Sequence, residues 1–467
     1  MTAVLGSRRG PGGSGCLLLC ALIGSACAGA RDEGGTDEAD GQGDEFGGSQ
    51  ECEPDPRGTE PEVALPSPHE QLYELELDTW GISNAGGDPV ETRTRMNEAL
   101  AWALDNGFEG VRIPAGTYRV GEKTSDIYTA GIELPGSMDL ILDPGATLEM
   151  APNDTWNYCV VAVRGLEDVR IAGGRIVGDR DEHSYGGADD EGHGVCVEGA
   201  SKRVLIEDIE LTKLTGDGVL IVGQSEAGSC EDITIRNSEL HENRRQGVSI
   251  VGGIRVLIEG NEIHHIHGTA PQFGVDIESL SFTSKDIMIR DNSFHDNQAG
   301  DFVNTDGTNV WFQGNTLDQG DVTDQVDGPI VFWKRTDQTI RDNVVIMHSP
   351  TVNGLWGVIG YTNDDEPRAN PVPNYIEDNV FEGGGIHLAR NHGNAVIRAN
   401  QIDGWMILGS RLSCLRLSDN AVNKAEGESY KFREVQGVAS GNLLNGAPVA
   451  LPMSDDAPFT NSPPHLW

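Results

Sequence analysis

The chain has 467 residues, of which 61 are glycine and 6% are aromatic, and its formal net charge is −41. So strong a negative charge excludes a general phosphate-neutralising surface, and we expect no nucleic-acid partner. It also disfavours a polyanionic substrate, unless bound cations or a local arginine cluster reverse the field.

The N-terminal segment has the features of an export signal. Arg8 and Arg9 precede an apolar run, residues 16–23, that is too short to span a bilayer. Two maturation routes stay open: lipidation of Cys27 in a lipobox-like Gly-Ser-Ala-Cys sequence, or cleavage after the Ala-Gly-Ala that ends at Ala30. We assign residues 1–30 to a signal peptide. We expect a secreted protein or a lipoprotein of the cell surface or outer membrane, attached to the membrane only through that lipid.

An acidic segment follows the signal. Between Arg31 and Glu62 there are twelve acidic and two basic residues among many glycines. Such a composition cannot bury a core, so residues 31–66 are predicted to be a disordered linker. The rest is divided into a folded domain, residues 67–425, and a C-terminal cap or tail, residues 426–467. Export permits disulfides, but the cysteines show no pairing pattern.

The folded domain is predicted to open with a helix. The sequence Asp88-Pro89-Val90-Glu91 combines an N-cap, a proline at the first helical position and an acid at the third. A row of apolar residues on one face follows, and Asn106-Gly107 ends it. This helix, over residues 92–106, would cover the end of a repeat array, where core and strand edges are otherwise exposed.

Two kinds of strand recur along the domain. One kind begins with glycine, as at Gly194, Gly218, Gly247 and Gly274. The other alternates apolar and polar residues and then reaches an asparagine. In stacked coils these asparagines would lie above one another at a tight turn where αL geometry is tolerated, with amides bonded along the stack. The predicted ladder consists of Asn237, Asn261, Asn292, Asn315, Asn343, Asn379, Asn400 and Asn420.

With these repeats, the segment over residues 78–120 resembles the N-terminal cap and first coil of pectin-lyase-like proteins of the pectate lyase superfamily. The resemblance implies an all-β fold, a right-handed single-stranded parallel β-helix from about Asp78 to Asn420 with an N-terminal capping helix. It also implies a glycan cleft flanked by the loops between each asparagine and the next glycine-led strand. Such a resemblance fixes the fold better than the chemistry, and the subfamily is left unassigned.

The carboxylates of greatest interest lie on the glycine-led strands. If the valine after each glycine points inward, one outward column contains Cys196, Leu220, Ser249, Asp276 and Phe302, and the next contains Glu198, Val222, Val251, Glu278 and Asn304. Asp276 and Glu278 then share one outward face about 7 Å apart, with Asp217 two coils, roughly 9–10 Å, from Asp276. All three are candidate catalytic residues, and a solvated strand face is the alternative interpretation.

The loops that enter these strands supply further candidates. Arg244 and Arg245 suit catalysis on, or recognition of, an acidic or hydroxyl-rich sugar, although surface salt bridges would explain them equally. Substrate binding is assigned to Asp179, Arg180, His183, His193, Gln246 and His267. Of these, His183 or His193 is also a candidate acid–base group. His264, His265 and His267 lack a clean metal-binding pattern, so no metal is assigned to them.

Two chemistries fit these residues. An inverting glycoside hydrolase needs one protonated and one ionised carboxyl about 6.5–9.5 Å apart, from Asp276 with Glu278 or with Asp217. A lyase or C5-epimerase acting on a uronate needs a base and a cation, Arg244 or Arg245, with Ca²⁺ held by Asp276 and Glu278 as the one cofactor to consider. We therefore expect a monomeric exported protein that modifies a polysaccharide. The alternative is a non-catalytic glycan-binding adhesin or structural surface protein.

Overall fold

The computed structural model describes residues 57–121, 129–187, 191–278, 282, 284–320, 328–333, 337–348, 355–361, 372–389, 394–451 and 453. The predicted signal peptide with Cys27, most of the predicted linker and the last residues of the predicted tail lie outside them. Within the described part of the chain, no helix is both long and apolar enough to cross a membrane.

The chain coils into three columns of parallel strands, one strand of each column per turn. Sheet 1 contains Thr129–Glu133, Asn157–Arg164, Glu191–Glu198, Asp217–Val222, Gln246–Ile250, Phe273–Ile277, Gly300–Asn304, Ile330–Trp333, Val358–Tyr361 and Ile386–Ala389. Sheet 2 contains Leu72–Glu74, Gly110–Ile113, Asp139–Leu142, Glu167–Ala172, Lys202–Glu207, Cys230–Arg236, Gly253–Glu259, Lys285–Arg290, Thr308–Gln313, Gln338–Arg341, Asn374–Glu377 and Ala395–Arg398. Sheet 3 contains Gly116–Val120, Ala146–Met150, Arg175–Val177, Glu210–Thr212, Glu239–His241, Glu262–His264, Ser293–His295, Thr316–Gln319, Val344–Met347, Val380–Glu382, Gln401–Asp403, Ala421–Asn423, Leu443–Leu444 and Ala447–Pro448.

The C-terminal coils join two of the columns. The long strands Ile407–Ser418 and Tyr430–Ser440 run through both sheet 1 and sheet 2, which makes one sheet of 24 strands among the described residues. Neighbouring strands in every column are parallel until Leu443–Leu444 meets Ala447–Pro448 in an antiparallel pair. The predicted right-handed parallel β-helix is confirmed.

The N-terminal end is covered by helices. Helix α1 spans Leu77–Trp80 and helix α2 spans Pro89–Asp105. The Asp88 carboxylate accepts the backbone N–H of Glu91 at 2.9 Å, so the predicted N-cap is present. The buried face of α2, which includes Met96 and Leu100, joins the core of the first coils. The predicted capping helix is confirmed, and it begins three residues earlier than the predicted residue 92 because Pro89 already occupies its first turn.

Inward-facing residues of sheet 1 form one continuous core column. The pairings align Val195 with Val219, then Val248, Val275 and Phe302, and all five side chains are fully buried. The inward orientation of the valine after each glycine is therefore confirmed. Each stacked side chain excludes water from the one below, which stabilises the register as well as the coil.

Phe302 and Asn304 were predicted to face outward, and this prediction was wrong. Because Phe273 pairs with Gly300, the outward neighbour of Asp276 is Val303. Asp301 therefore aligns with Gly274, the glycine that leads the preceding strand, and Gly300 lies one residue before that position. Asp301 is fully buried and accepts the amides of Asn297 and Gln319. A slip of one residue exchanges the two faces of a strand.

The asparagine ladder follows the turn after sheet 2. From Asn261 to Asn442 the Nδ2 atom of each asparagine donates to the Oδ1 of the next, at 2.9–3.1 Å. Each Nδ2 also donates to a sheet 2 carbonyl of the preceding coil, for example Asn343 to Phe312 at 2.9 Å. The ladder is confirmed from Asn261 to Asn420 and continues one coil further.

Two details of the predicted ladder were wrong. Asn237 is not a member, because Ser238 occupies the ladder position of that coil and donates its N–H to Asn261 Oδ1 at 3.0 Å. The αL conformation belongs to the residue before each ladder position: φ is 50° at Asn237, 56° at Asp291 and 55° at Asp342. This αL residue turns the chain, and the following side chain then points into the stack.

Replacing one ladder amide should destabilise the whole β-helix. Asn343→Ala leaves the Asn315 N–H and the Phe312 carbonyl without their buried partners, and we expect the free energy of unfolding to fall by about 3 kcal/mol. Urea unfolding followed by circular dichroism measures the loss. Asn423→Ala is the control, because that exposed amide donates to the exposed Asp403 side chain, and its loss should stay below about 0.5 kcal/mol. Equal losses in the two variants would contradict the structural role of the ladder.

Candidate functional site

The candidate site lies where successive strands of sheet 1 begin. Asp217 pairs with Gln246 at the start of two adjacent strands, and Ser249 pairs with Asp276 further along the face. Glu278 follows directly after the strand Phe273–Ile277. The stacking therefore brings together residues that are about 30 to 60 positions apart in the chain, as their positions in the repeats predicted.

Arg245 is the centre of a buried charge cluster. Its Nη1 lies 3.2 Å from Asp217 Oδ2, its Nε lies 3.3 Å from Glu191 Oε1, and its side chain is 6% exposed. Burial lowers the pKa of Arg245, but the charges of Asp217, Glu191, Asp276 and Glu278 together raise it. One cation thus faces four carboxyl groups, and the cluster carries an excess of acid.

Asp217 is the member of the cluster whose environment favours the ionised form. The residue is fully buried, and burial alone would raise its pKa. The Arg245 charge outweighs burial, so the pKa of Asp217 falls below its ordinary value. His193 lies beneath it, with Nδ1 accepting the Asp217 backbone N–H at 3.2 Å. His193 is 1% exposed, so it supports Asp217 rather than facing the groove.

Among the described residues, one oxygen of the Asp276 carboxyl accepts a hydrogen bond and the other has none. Gln246 accepts the Phe273 N–H through Oε1 at 2.8 Å, and this fixes its Nε2 as a donor to Asp276 Oδ2 at 2.6 Å. Asp276 Oδ1 is buried and has no hydrogen-bond partner among the described residues.

The environment of Asp276 and Glu278 disfavours the ionised form of both carboxyls. Burial, followed by the charge of Glu278, raises the pKa of Asp276 well above its ordinary value. Burial also raises the pKa of Glu278, whose side chain remains partly exposed. Environments that separate the pKa values of neighbouring carboxyls are the arrangement that acid–base catalysis requires.

Sequence reasoning missed Glu191 as a site residue. It begins the strand Glu191–Glu198, where its side chain contacts Arg245. Its position two residues before His193 on one strand face could have revealed it. Ser249 pairs with Asp276 on the adjacent strand. The sequence placed Ser249 in the outward column but gave it no role.

Four residues form a cluster on one side of the site, which we call the rim: Arg180, Tyr185, Arg244 and His267. Arg180 contacts both the Glu242 carbonyl and the His267 ring, 2.9 Å from its Nδ1. The Arg244 guanidinium lies 4.4 Å from the centre of the Tyr185 ring. Arg180, Arg244 and His267 were predicted site residues, and Tyr185 adds an exposed aromatic ring to them.

Asp179 and His183 are buried. Asp179 is 4% exposed and accepts the Tyr158 hydroxyl, at 2.5 Å, and both the N–H and the side-chain amide of Asn153. His183 Nδ1 lies 2.8 Å from Asp179 Oδ2. This network anchors the segment that carries Arg180 and Tyr185, so these predicted substrate-binding residues support the rim from below.

Metal-ligand geometry occurs elsewhere than at the carboxylate pair. Among the described residues, the histidine-containing groups of three possible ligands within 4.8 Å of one another are His264 with His265 and His295, and Glu239 with His241 and His264. A further group, without histidine, consists of Cys159, Cys196 and Glu198, but its two cysteines form a disulfide between adjacent coils of sheet 1. A calcium site at Asp276 and Glu278 stays a prediction.

The fold and the site define a class of protein: a right-handed parallel β-helix with an acid-rich cluster on one outer face. The family model described as "Right handed beta helix region" matches residues 187–345 and 229–422. The chain belongs to this family, in agreement with the predicted resemblance.

A curated relative and two solved structures are similar to the chain. The uncharacterized protein YclG of Bacillus subtilis is 32% identical over 423 residues, which cover 83% of this chain and 66% of YclG. The A-module of the Azotobacter vinelandii mannuronan C-5 epimerase AlgE6 has a TM-score of 0.56 at 17% identity and covers 82% of this chain and 100% of the module. A mutant tailspike of E. coli bacteriophage HK620, in complex with a pentasaccharide, has a TM-score of 0.52 at 11% identity. The match covers 78% of this chain and 76% of the tailspike chain. At these identities the structures show the fold alone.

Replacing the ionisable Asp276 side chain with a neutral amide should stabilise the protein at neutral pH. Its raised folded-state pKa means that the folded protein holds a proton that the unfolded chain releases, so stability falls as pH rises from the ordinary aspartate pKa through the folded one. Asp276→Asn removes this penalty, and its melting temperature should exceed that of wild type at neutral pH. Thermal unfolding across pH should show the gain disappear in acid. Asp291→Asn, at an exposed turn, should show no such pH-dependent gain. A stability difference that does not vary with pH would contradict the assignment.

Proposed function

We propose that this protein hydrolyses a glycosidic bond of a polysaccharide bound along the outer face of sheet 1. One observation carries the proposal: carboxyl groups with opposite pKa shifts collect around the buried cation Arg245. Glycoside hydrolysis needs one protonated carboxyl for the leaving oxygen and one carboxylate to activate water.

The acid of the pair is Glu278, backed by Asp276. Glu278 is the more exposed of the two carboxyls with raised pKa values, so it meets the glycosidic oxygen. Asp276 stays neutral behind it, which keeps negative charge away from the leaving group. The carboxylates held by Arg245 provide the base, and Glu191 is the more accessible, at 17% exposed against 0% for Asp217.

The charge balance disfavours the alternative chemistry on a uronate. A lyase or epimerase needs a free cation to stabilise the enolate that forms beside the substrate carboxylate. Arg245 is buried and already contacts Asp217 and Glu191. The remaining acid in the cluster would repel a polyanion, so a neutral or weakly charged glycan fits better.

The rim gives the substrate a second point of contact. The exposed ring of Tyr185 offers the apolar surface on which a sugar face stacks, and Arg244 and Arg180 offer donors for sugar hydroxyls. One structure of similar fold, a phage tailspike, is bound to a pentasaccharide, which supports a glycan as the partner.

Turnover should depend on the acid pair. Incubation with a panel of neutral and acidic polysaccharides should release new reducing ends without the ultraviolet absorbance of an unsaturated sugar. Glu278→Gln and Asp276→Asn should each lower kcat by a factor on the order of 10²–10⁴, while Asp291→Asn, outside the groove, should keep full activity. New absorbance would indicate a lyase, and binding without new ends in any sample would indicate an adhesin. Full activity of both acid-pair variants would place the chemistry elsewhere.

We also propose that the chain is exported and lipidated at Cys27. The apolar run and lipobox-like sequence support this, as does the Cys159–Cys196 disulfide, a bond typical of oxidising compartments.

Lipidation predicts a change in partitioning. Cys27→Ala should move the protein from the membrane to the soluble exported fraction, measured by fractionation and immunoblotting. Cys230→Ala is a matched control, because that free cysteine is buried in the β-helix and should leave partitioning unchanged. An unaltered distribution of the Cys27→Ala protein would favour cleavage after Ala30.

A further inference from the structure

A stack of histidines lies on the outer face of sheet 3, away from the groove. The strand pairings place His241, His264 and His295 directly above one another on three consecutive coils. Their rings are parallel, with centroids 4.8 Å apart for the first pair and 4.5 Å for the second. Three imidazoles in register give three nitrogens on each edge of the stack.

Carboxylates cover one edge of the stack. The Nε2 atom of each ring faces a glutamate of the preceding coil, with separations of 3.1 Å for His241–Glu210, 3.2 Å for His264–Glu239 and 3.1 Å for His295–Glu262. An ionised carboxylate can only accept a hydrogen bond, so each Nε2 carries the hydrogen and donates it to the glutamate. In a neutral ring this leaves Nδ1 as the nitrogen with a free electron pair, so the glutamates select the tautomer that can bind a metal through Nδ1.

The opposite edge differs from coil to coil. The residue after each histidine is in the αL conformation, with φ of 52° at Glu242, 53° at His265 and 54° at Asp296. This conformation turns its side chain back towards the Nδ1 edge. In the middle coil the carboxylate is replaced by His265, whose Nδ1 lies 2.7 Å from His264 Nδ1. Two nitrogens at that distance need a shared proton or a cation between them.

We propose that His264, His265 and His295 form a binding site for one divalent transition-metal ion, with all three ligating through Nδ1. Their possible ligand atoms lie within 4.8 Å of one another. Asp296, 2.9 Å from His295 Nδ1, is placed to supply the fourth ligand. Imidazole nitrogens select Zn²⁺, Co²⁺, Ni²⁺ or Cu²⁺ over Ca²⁺ and Mg²⁺, which prefer oxygen.

The site is accessible, and metal binding would draw the stacked His264 and His295 rings, whose centroids are 4.5 Å apart, towards one ion. The side chains of His264, His265 and His295 are 13%, 50% and 26% exposed. Two nitrogens bound to one tetrahedral Zn²⁺ at about 2.0–2.1 Å lie roughly 3.3 Å apart. The Nδ1 atoms of His264 and His265 would therefore separate by roughly 0.6 Å, a movement that the half-exposed His265 ring can make. The oriented Glu239 and Glu262 stay in place as carboxylate partners of the ligands.

Titration of the full chain with Co²⁺ in the presence of excess Mg²⁺ tests the proposal. We expect one tightly bound Co²⁺ per chain, with the visible absorption of a tetrahedral ion, displaced by one equivalent of Zn²⁺. The key variant is His265→Asn, because asparagine tolerates the αL conformation and the fold should survive. It should weaken Co²⁺ binding at least tenfold and abolish the tetrahedral spectrum, while Glu239→Gln should weaken binding about 10–100-fold.

His348→Asn is the matched control. His348 is also an exposed histidine that contacts a carboxylate, 2.7 Å from Asp318, but it lies outside the stack. Its Co²⁺ affinity and spectrum should equal those of wild type. Wild-type binding no tighter than that of His265→Asn, or an octahedral spectrum unaffected by it, would overturn the proposal. Zn²⁺ should also raise the melting temperature of wild type and not of His265→Asn.

Discussion

Every feature of this molecule depends on the register in which one coil hydrogen-bonds to the next. Parallel strands lie about 4.8 Å apart, so a residue is fixed above its counterpart in the preceding coil whatever the length of loop between them. Buried side chains such as Val248 and Val275 and the asparagine amides hold that register from inside. Outward-facing side chains are then free to vary, and their chemistry is decided by their vertical neighbours.

Charge balance separates the supporting columns from the candidate site. On the outer face of sheet 2, Glu207 lies between Arg170 and Arg236, at 2.6 and 2.7 Å. Burial would raise the pKa of Glu207, but these arginines lower it. Around Arg245 the ratio is reversed, and the pKa of Asp276 rises. Deeper burial, a neighbouring acid and fewer cations therefore raise the pKa of Asp276, whereas two arginines lower that of Glu207.

Both sites described here arise from single departures within a repeated column. Asp276 follows Ser249 and precedes Val303 on sheet 1. His265 stands in the αL position where neighbouring coils have Glu242 and Asp296. A repeat fold gives each such change a fixed set of neighbours, so a new polar group can gain a function without disturbing the core.

The amino-acid sequence by itself determined the β-helix, the capping helix and the face shared by Asp276 and Glu278. These depend on local signals: helix caps, alternation of apolar and polar residues, glycine before each strand and asparagine after it. Asp276 and Glu278 could be placed together because residues two apart on one strand need no tertiary information.

Only the tertiary structure decided which residues of different coils meet. Loops of unequal length separate the coils, so the sequence does not state that Ser238 replaces Asn237 in the ladder or that Val303 follows Asp276. For the same reason the sequence does not state that Glu191 contacts Arg245 or that His295 stacks on His264. Vertical contacts follow from backbone register, and register is a property of the stacked chain rather than of any one segment.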